Sequence, residues 1–318
     1  MRGTFGRTCL AILFGVSALP LAAWQQATPQ KAPPAAREAR APRIEELWVE
    51  PEPNRDLLHG VGGEELAPDP NEHYKVREIK LRGFSEGYTV IDSQGREWST
   101  KAPPEAFSEI ATSRILWGVG FHQPPNYILR EWKADGGRSP NPQLPARFRE
   151  KSPNYHGLEA GGTWSFKDNP FVNTRPMGGL LVLQAILANP DIKASNNTIY
   201  TLTSPAEGAD RWYVVRDLGY SLGSTGFNAP RADIESFERT PFIRGVADGK
   251  VQLYYGGQNK AMMHDVTVAD VHWICQRLAK LTDEQWRDAF RAAAYESSVA
   301  ERYIVKLKAK IKEGLAIR

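Results

Sequence analysis

Apolar and polar side chains alternate over short runs from about residue 74 to residue 101, in "REIKL", "GYTVID" and "REWSTK". That period turns one face of each run toward a core and predicts strands. The tetrad "DSQG", closed by Gly95, marks the turn between the second and third, and "GFSEG" separates the first two. The period changes at "PPEAFSEIATSRILWGVG", which predicts a helix begun at Pro104 and stopped near Gly118 or Gly120. A strand "NYILREW" and a Gly-rich break "ADGG" follow, so the first half of the chain is mostly sheet with one helix.

The segment "ARFREKSPNYHGLEAGGTWSFKDNPF" has little periodicity and is expected to be irregular. From about Pro176 to Ala188 the chain is apolar on nearly all sides, which predicts a helix inside the fold. Pro190 disfavours helical geometry at Asn189 and ends it. "TIYTL" and "RWYVVRDL" predict a hairpin across "TSPAEGAD". Thr267, Thr282 and Ser298 stand three residues before Asp270, Gln285 and Glu301, a capping-box spacing that predicts three helices toward the C-terminus. The lysines of "KLKAKIK" alternate around the last of these and lack interleaved aromatics, which suits a solvated helix better than a membrane or nucleic-acid surface. The second half is mostly helix, and the whole reads as α+β.

Composition adds bounds. A chain of 318 residues, 41% hydrophobic and with 9 Trp, has material for one large core or two small ones. A net charge of +3 favours neither nucleic acid nor an acidic partner, and the 6 histidines do not fall at metal-ligand spacing. The N-terminus carries Arg2 and Arg7, an apolar stretch to Leu21, then Ala22 and Ala23: a signal peptide over residues 1–23, too short for the roughly 20 apolar residues of a span. Export, periplasmic or secreted, with no membrane span after cleavage, is expected. Residues 24–43, rich in Pro, Ala, Gln and Arg, read as a disordered linker. Removal of Cys9 with the leader leaves Cys275 alone, so no internal disulfide can form.

The chemistry concentrates where the buried helix ends. "NPDIKASNN" supplies a base in Asp191, a cation in Lys193 and a carboxamide in Asn196, and a strand later delivers Asp217 in "DLG". A carboxylate and a carboxamide oxygen suit a hard divalent ion such as Mg²⁺, which most often sits on phosphates. The pattern points to phosphoryl chemistry.

In this spacing the chain resembles the protein-kinase-like superfamily. Asp191, Lys193 and Asn196 occupy the acid, lysine and asparagine positions of a catalytic loop, and "DLG" at 217–219 resembles the D-F-G element. Upstream, "GFSEGYTVIDSQGREWSTK" is similar to the Gly-rich turn and lysine-bearing strand of an N-terminal lobe. Asn189 and Pro190 replace the His-Arg pair, "GFSEG" is a shortened Gly loop, and no A-P-E follows, departures that resemble atypical branches: HipA-like, phosphoinositide-kinase-like, and exported spore-coat or secretory-pathway kinases.

The resemblance implies a two-lobed fold, with an N-lobe over 44–135, a C-lobe over 136–318 and a nucleotide in the cleft. It implies that Lys101 and Glu109 place the phosphates of ATP, with Glu105 as the other partner the sequence allows, and that Ser85, Glu86 and Gly87 cover them. Asn196 and Asp217 would bind Mg²⁺ or Mn²⁺, Asp191 would act as base and Lys193 would stabilise transferred charge. The acceptor, chosen by residues 220–245, stays open among protein, carbohydrate and small molecule, as does phosphoryl against nucleotidyl transfer. Two other readings stand beside it. The fold could serve as an inactive pseudokinase binding module, or "GYSLG" could be the elbow of a serine hydrolase with Ser221 as nucleophile.

Overall fold

The computed structural model describes residues 41–80, 83–135, 145–226 and 228–318, whose body runs from Pro42 to Arg318. The expected signal peptide, and the linker up to residue 40, lie outside the described residues. Strands β1 (His73–Lys80), β2 (Gly87–Ile91) and β3 (Glu97–Lys101) are successive antiparallel neighbours, with Lys80 opposite Gly87 and Ile91 opposite Glu97. The turn between β2 and β3 is the expected one. Gly95 lies at φ +80°, where its missing Cβ matters, and its N–H donates to the Asp92 carbonyl at 3.1 Å.

Helix α1 (Glu105–Gly118), β4 (Tyr127–Leu129), β5 (Lys133–Asp135) and β6 (Ala146–Glu150) follow. They complete a six-stranded sheet in the order β4-β6-β3-β2-β1-β5, antiparallel except where β5 joins β1. Strand β6 corrects the expectation that "ARFRE" is irregular, and it belongs to this sheet although it lies beyond residue 135. Its alternation is hidden because the inward positions are arginines: Phe148 packs against Tyr74, Trp98 and Trp132 on one face, while Arg147 and Arg149 point to the other, toward α1.

The rest comprises β7 (Leu158–Gly162), α2 (Arg175–Ile186), β8 (Asn197–Ala206), β9 (Ala209–Val215), α3 (Ile234–Arg239), β10 (Ile243–Ala247), β11 (Lys250–Leu253), α4 (Val268–Leu278), α5 (Asp283–Ala292) and α6 (Ser297–Ala316). Strand β7 is a second correction to the irregular segment; "LEAGG" carries no apolar period because it is an edge strand held by pairing with β8. The β8–β9 hairpin turns on Glu207 and Gly208, both at positive φ, so "TSPA" continues β8 instead of looping.

The capping boxes at Thr267 and Thr282 form as expected. The third does not: α6 starts at Ser297 with Glu296 as its N-cap and no side-chain cap. Lys310 also departs from the solvated reading of "KLKAKIK". It is 2% exposed, its ammonium donates to the Ile186 carbonyl at 2.9 Å and lies 4.1 Å from the centre of the Phe237 ring. Cys275 is free and buried, and burial pushes its thiol up to about 12. Among the described residues no helix is long and apolar enough to cross a membrane.

Two cores result. A small one lies on the outer face of the N-terminal sheet around Tyr74, Trp98 and Phe148, and a large one surrounds α2, which is buried almost throughout as its sequence requires. Ile110 and Ile115 of α1 belong to the large core, so this helix ties the sheet to the C-terminal part. The fold is α+β, an N-terminal sheet with one helix followed by a mostly helical C-terminal part.

Candidate active site

Lys101 closes β3, where the strand hands over to α1, and Arg147 of β6 stands opposite it. Its ammonium lies 2.5 Å from Asp217 Oδ1, 2.9 Å from Glu109 Oε2 and 3.8 Å from Glu105 Oε2. The shorter helix contact is thus to Glu109, one turn deeper in α1. Burial would lower the Lys101 pKa, but Glu109 and Asp217 outweigh it and raise it, so the side chain stays charged. Glu109 is 2% exposed and also faces Arg147 at 3.1 Å and Arg149 at 3.2 Å. Burial opposes its charge, yet these three cations hold its carboxyl well below the usual range.

Asp217 follows β9 in the left-handed region at φ +55°, a conformation Asp tolerates better than most residues. The turn Leu218–Tyr220 after it is tied to α1, since Ser108 Oγ donates to the Gly219 carbonyl at 2.7 Å.

The loop below begins where α2 ends. The Ala188 N–H donates to the Ala185 carbonyl and the Asn189 N–H to the Gln184 carbonyl, a Schellman closure with Ala188 in the left-handed position that glycine usually takes. Asp191 then sits at the centre of a donor set: Lys193 Nζ donates to its Oδ2 at 2.8 Å, Asn196 Nδ2 to the same oxygen at 2.9 Å, and Gln258 Nε2 to its Oδ1 at 2.7 Å.

Gln258 and its neighbours are what the sequence reading missed. The Tyr255 hydroxyl donates to the Asn189 carbonyl at 3.0 Å, the Gln258 N–H to the Pro190 carbonyl at 2.7 Å, and Asn259 Nδ2 to the Ile192 carbonyl at 2.7 Å. A Cβ at Gly257 would come within 2.4 Å of Pro190, so the backbone can brace the loop only because a glycine stands there. The dipeptide "GG" before Gln258 was the available signal.

One cleft of about 470 Å³ is lined by Ser85, Gly87, Lys101, Asp191, Lys193, Asn196 and Asp217, residues drawn from both halves of the chain. Glu109 stands behind Lys101. Glu86 is exposed and its carboxylate accepts from the Tyr88 hydroxyl at 3.1 Å, while its carbonyl receives the Ala102 N–H at 2.7 Å; it holds the turn and its side chain does not line the cleft. At the mouth, Arg231 is stacked between the rings of Phe84 and Tyr220, 4.2 and 3.9 Å from their centres, and pairs with Glu105. Neither Arg231 nor the basic residues Lys80, Arg149 and Arg216 that also line the cleft were expected.

Asn196 spends its amide nitrogen on Asp191, which leaves its carboxamide oxygen, and Asp217 keeps one carboxylate oxygen beyond the Lys101 contact. Among the described residues no cluster of three or more His, Cys, Asp or Glu side chains is placed to hold a metal.

The hydrolase reading fails on geometry. Ser221 is 0% exposed with its hydroxyl unpartnered, and the next helix, α3, begins only at Ile234, so there is neither access to a nucleophile nor a helix N-terminus behind it.

No family model and no curated protein matches the chain. Among solved structures it is similar to the proinflammatory kinase CtkA of Helicobacter pylori, at 12% identity over 74% of this chain and 92% of that one with a TM-score of 0.43, a likeness too remote to add weight to the geometry.

Proposed function

We propose that this protein is an atypical, kinase-like phosphotransferase that uses ATP with Mg²⁺ or Mn²⁺. The observation that supports it is the meeting of the Lys101, Glu109 and Asp217 ion cluster with the Asp191, Lys193 and Asn196 loop on one cleft.

In this reading Lys101, kept charged by its two carboxylates, orients the phosphates. The donor set left by Asn196 and Asp217, one amide and one carboxylate oxygen, fits a hard divalent ion that completes its shell with phosphate and water. Such an ion supplies charge neutralisation along the phosphates. Asp191 accepts the proton of an acceptor hydroxyl: its donors fix the carboxylate and keep it oriented, and Lys193 stands beside it to stabilise charge on the group in transfer. The turn with Ser85 and Gly87 covers the phosphates. The leader pattern of residues 1–23 adds, within the same proposal, that the reaction takes place outside the cytoplasm.

The test is transfer or release of the terminal phosphate of Mg-ATP by the purified chain, compared with Asp191→Asn. A fall of about a hundredfold or more is expected on losing the base. Equal turnover by both proteins would remove Asp191 from the role, and nucleotide binding without turnover would leave a pseudokinase.

A further inference from the structure

Beyond Lys101 the cleft continues between the N-terminal sheet and the β8–β9 hairpin. The sheet contributes Lys80, Ser99 and Arg149 there, and the hairpin contributes Thr198 and, at its end, Arg216. This is an unusual surface for an aromatic base, which is held by apolar faces in most sites. Among the described residues the aromatic rings lining the cleft are Phe84 and Tyr220, and Arg231 occupies both.

Charge tells the same story. Glu109 is shared by Arg147 and Arg149, and it also pairs with Lys101, which has Asp217 and Glu105 beside it as well. Lys80 donates to Ser99 Oγ at 2.8 Å, and Arg216 donates to Thr198 Oγ1 at 3.0 Å and the Tyr200 hydroxyl at 3.2 Å; these partners are neutral hydroxyls, and the carboxylates near the two cations act on them from a distance. Among the described residues Arg216 Nε is buried with no hydrogen-bond partner. Burial, with Arg147 and Arg149 nearby, brings the Lys80 ammonium down to about 8 although Glu78 opposes it. Cations held this close repel one another until an anion arrives.

We propose that Lys80, Arg149 and Arg216 form a second anion subsite, contiguous with Lys101, so that the cleft recognises its ligand by an oligophosphate chain and not by a nucleobase. The source of that chain is inorganic polyphosphate or the phosphates of a nucleotide. The inference rests on the phosphotransferase reading only for placing the reacting phosphate at Lys101 and Asp217.

The experiment is calorimetric titration of the full chain with inorganic tripolyphosphate, ATP and adenosine, in buffer freed of divalent ions. Tripolyphosphate should bind about as tightly as ATP, and adenosine should not bind. Lys80→Gln and Arg216→Gln should each weaken both phosphate ligands by about tenfold, the worth of a charge-assisted hydrogen bond, whereas Arg216→Lys should retain most of the affinity. Thermal unfolding without ligand checks that each variant is folded. Tighter binding of ATP for its base would leave inorganic polyphosphate out as the source and overturn recognition by the chain alone. Affinities unchanged in both glutamine variants would overturn the subsite itself. Because the titration needs neither metal nor turnover, loss of phosphotransfer with this binding intact would count against the proposed function and not against the subsite.

Discussion

Replacing Glu109 by Gln keeps the shape of the side chain and removes the one buried carboxylate that three cations share. At N···O distances of 2.9, 3.1 and 3.2 Å, each contact is worth roughly 5 kcal/mol of gross attraction at an effective dielectric near 20. Most of that is offset by the several kcal/mol it costs to desolvate each ion, and breaking such a buried cluster from one side leaves about 3–5 kcal/mol of net loss. With a urea slope of about 3 kcal/mol per molar, the unfolding midpoint should fall by about 1–1.7 M.

The pH dependence has a definite sign. The folded pKa of Glu109 lies below its ordinary 4.5, so its contribution is fully present above that pH and is lost as the pH falls further. The gap between wild type and Glu109→Gln should stay constant from neutral pH down to about 4.5 and close only below it. Equal midpoints at pH 7 would refute the claim that this carboxylate holds the N-terminal sheet to α1.

Lys310, pushed down to about 7 chiefly by burial and then by Lys306, with Glu313 opposing, should make the protein more stable as pH rises from about 7 toward 10.5, because the unfolded chain then binds the extra proton. Lys310→Met should raise stability at pH 6 by on the order of 1–4 kcal/mol, with the advantage shrinking at high pH; an advantage that grows with pH would contradict this. Thr267→Ala should cost about 1 kcal/mol in thermal unfolding, whereas Ser298→Ala, whose capping box does not form, should cost little. Arg231→Ala should loosen the turn around Phe84 and speed amide exchange over residues 83–87; unchanged exchange would mean the stack at the mouth holds nothing. Mg-ATP at a hundred times its dissociation constant should stabilise the wild type by about 2.7 kcal/mol and Asp217→Ala by much less, and equal shifts would place the nucleotide elsewhere.

Local rules carried far where side chains answer to their own neighbours. The turn at Gly95, the start of α1 near Pro104, the fully buried α2 and the capping boxes at Thr267 and Thr282 each follow from a few adjacent residues. Strand β6 was hidden because its inward face is made of arginines that are neutralised by Glu109, some forty positions earlier in the chain, and no window of sequence shows that partner. Strand β7 was hidden because an edge strand of small and polar residues is held by its neighbour's backbone.

By itself the sequence determined the α+β order of elements and the residue types that gather in the cleft, since periodicity, caps and turn residues act over a few positions of chain. Only the tertiary structure decided which carboxylate lies nearer Lys101, that Gln258 and Tyr255 brace the loop of Asp191, that Ser221 is sealed from solvent, and that Lys80, Arg149 and Arg216 face one another. Those outcomes depend on electrostatic and packing partners far apart along the chain, and their energies exist only once the strands and helices have closed around the cleft.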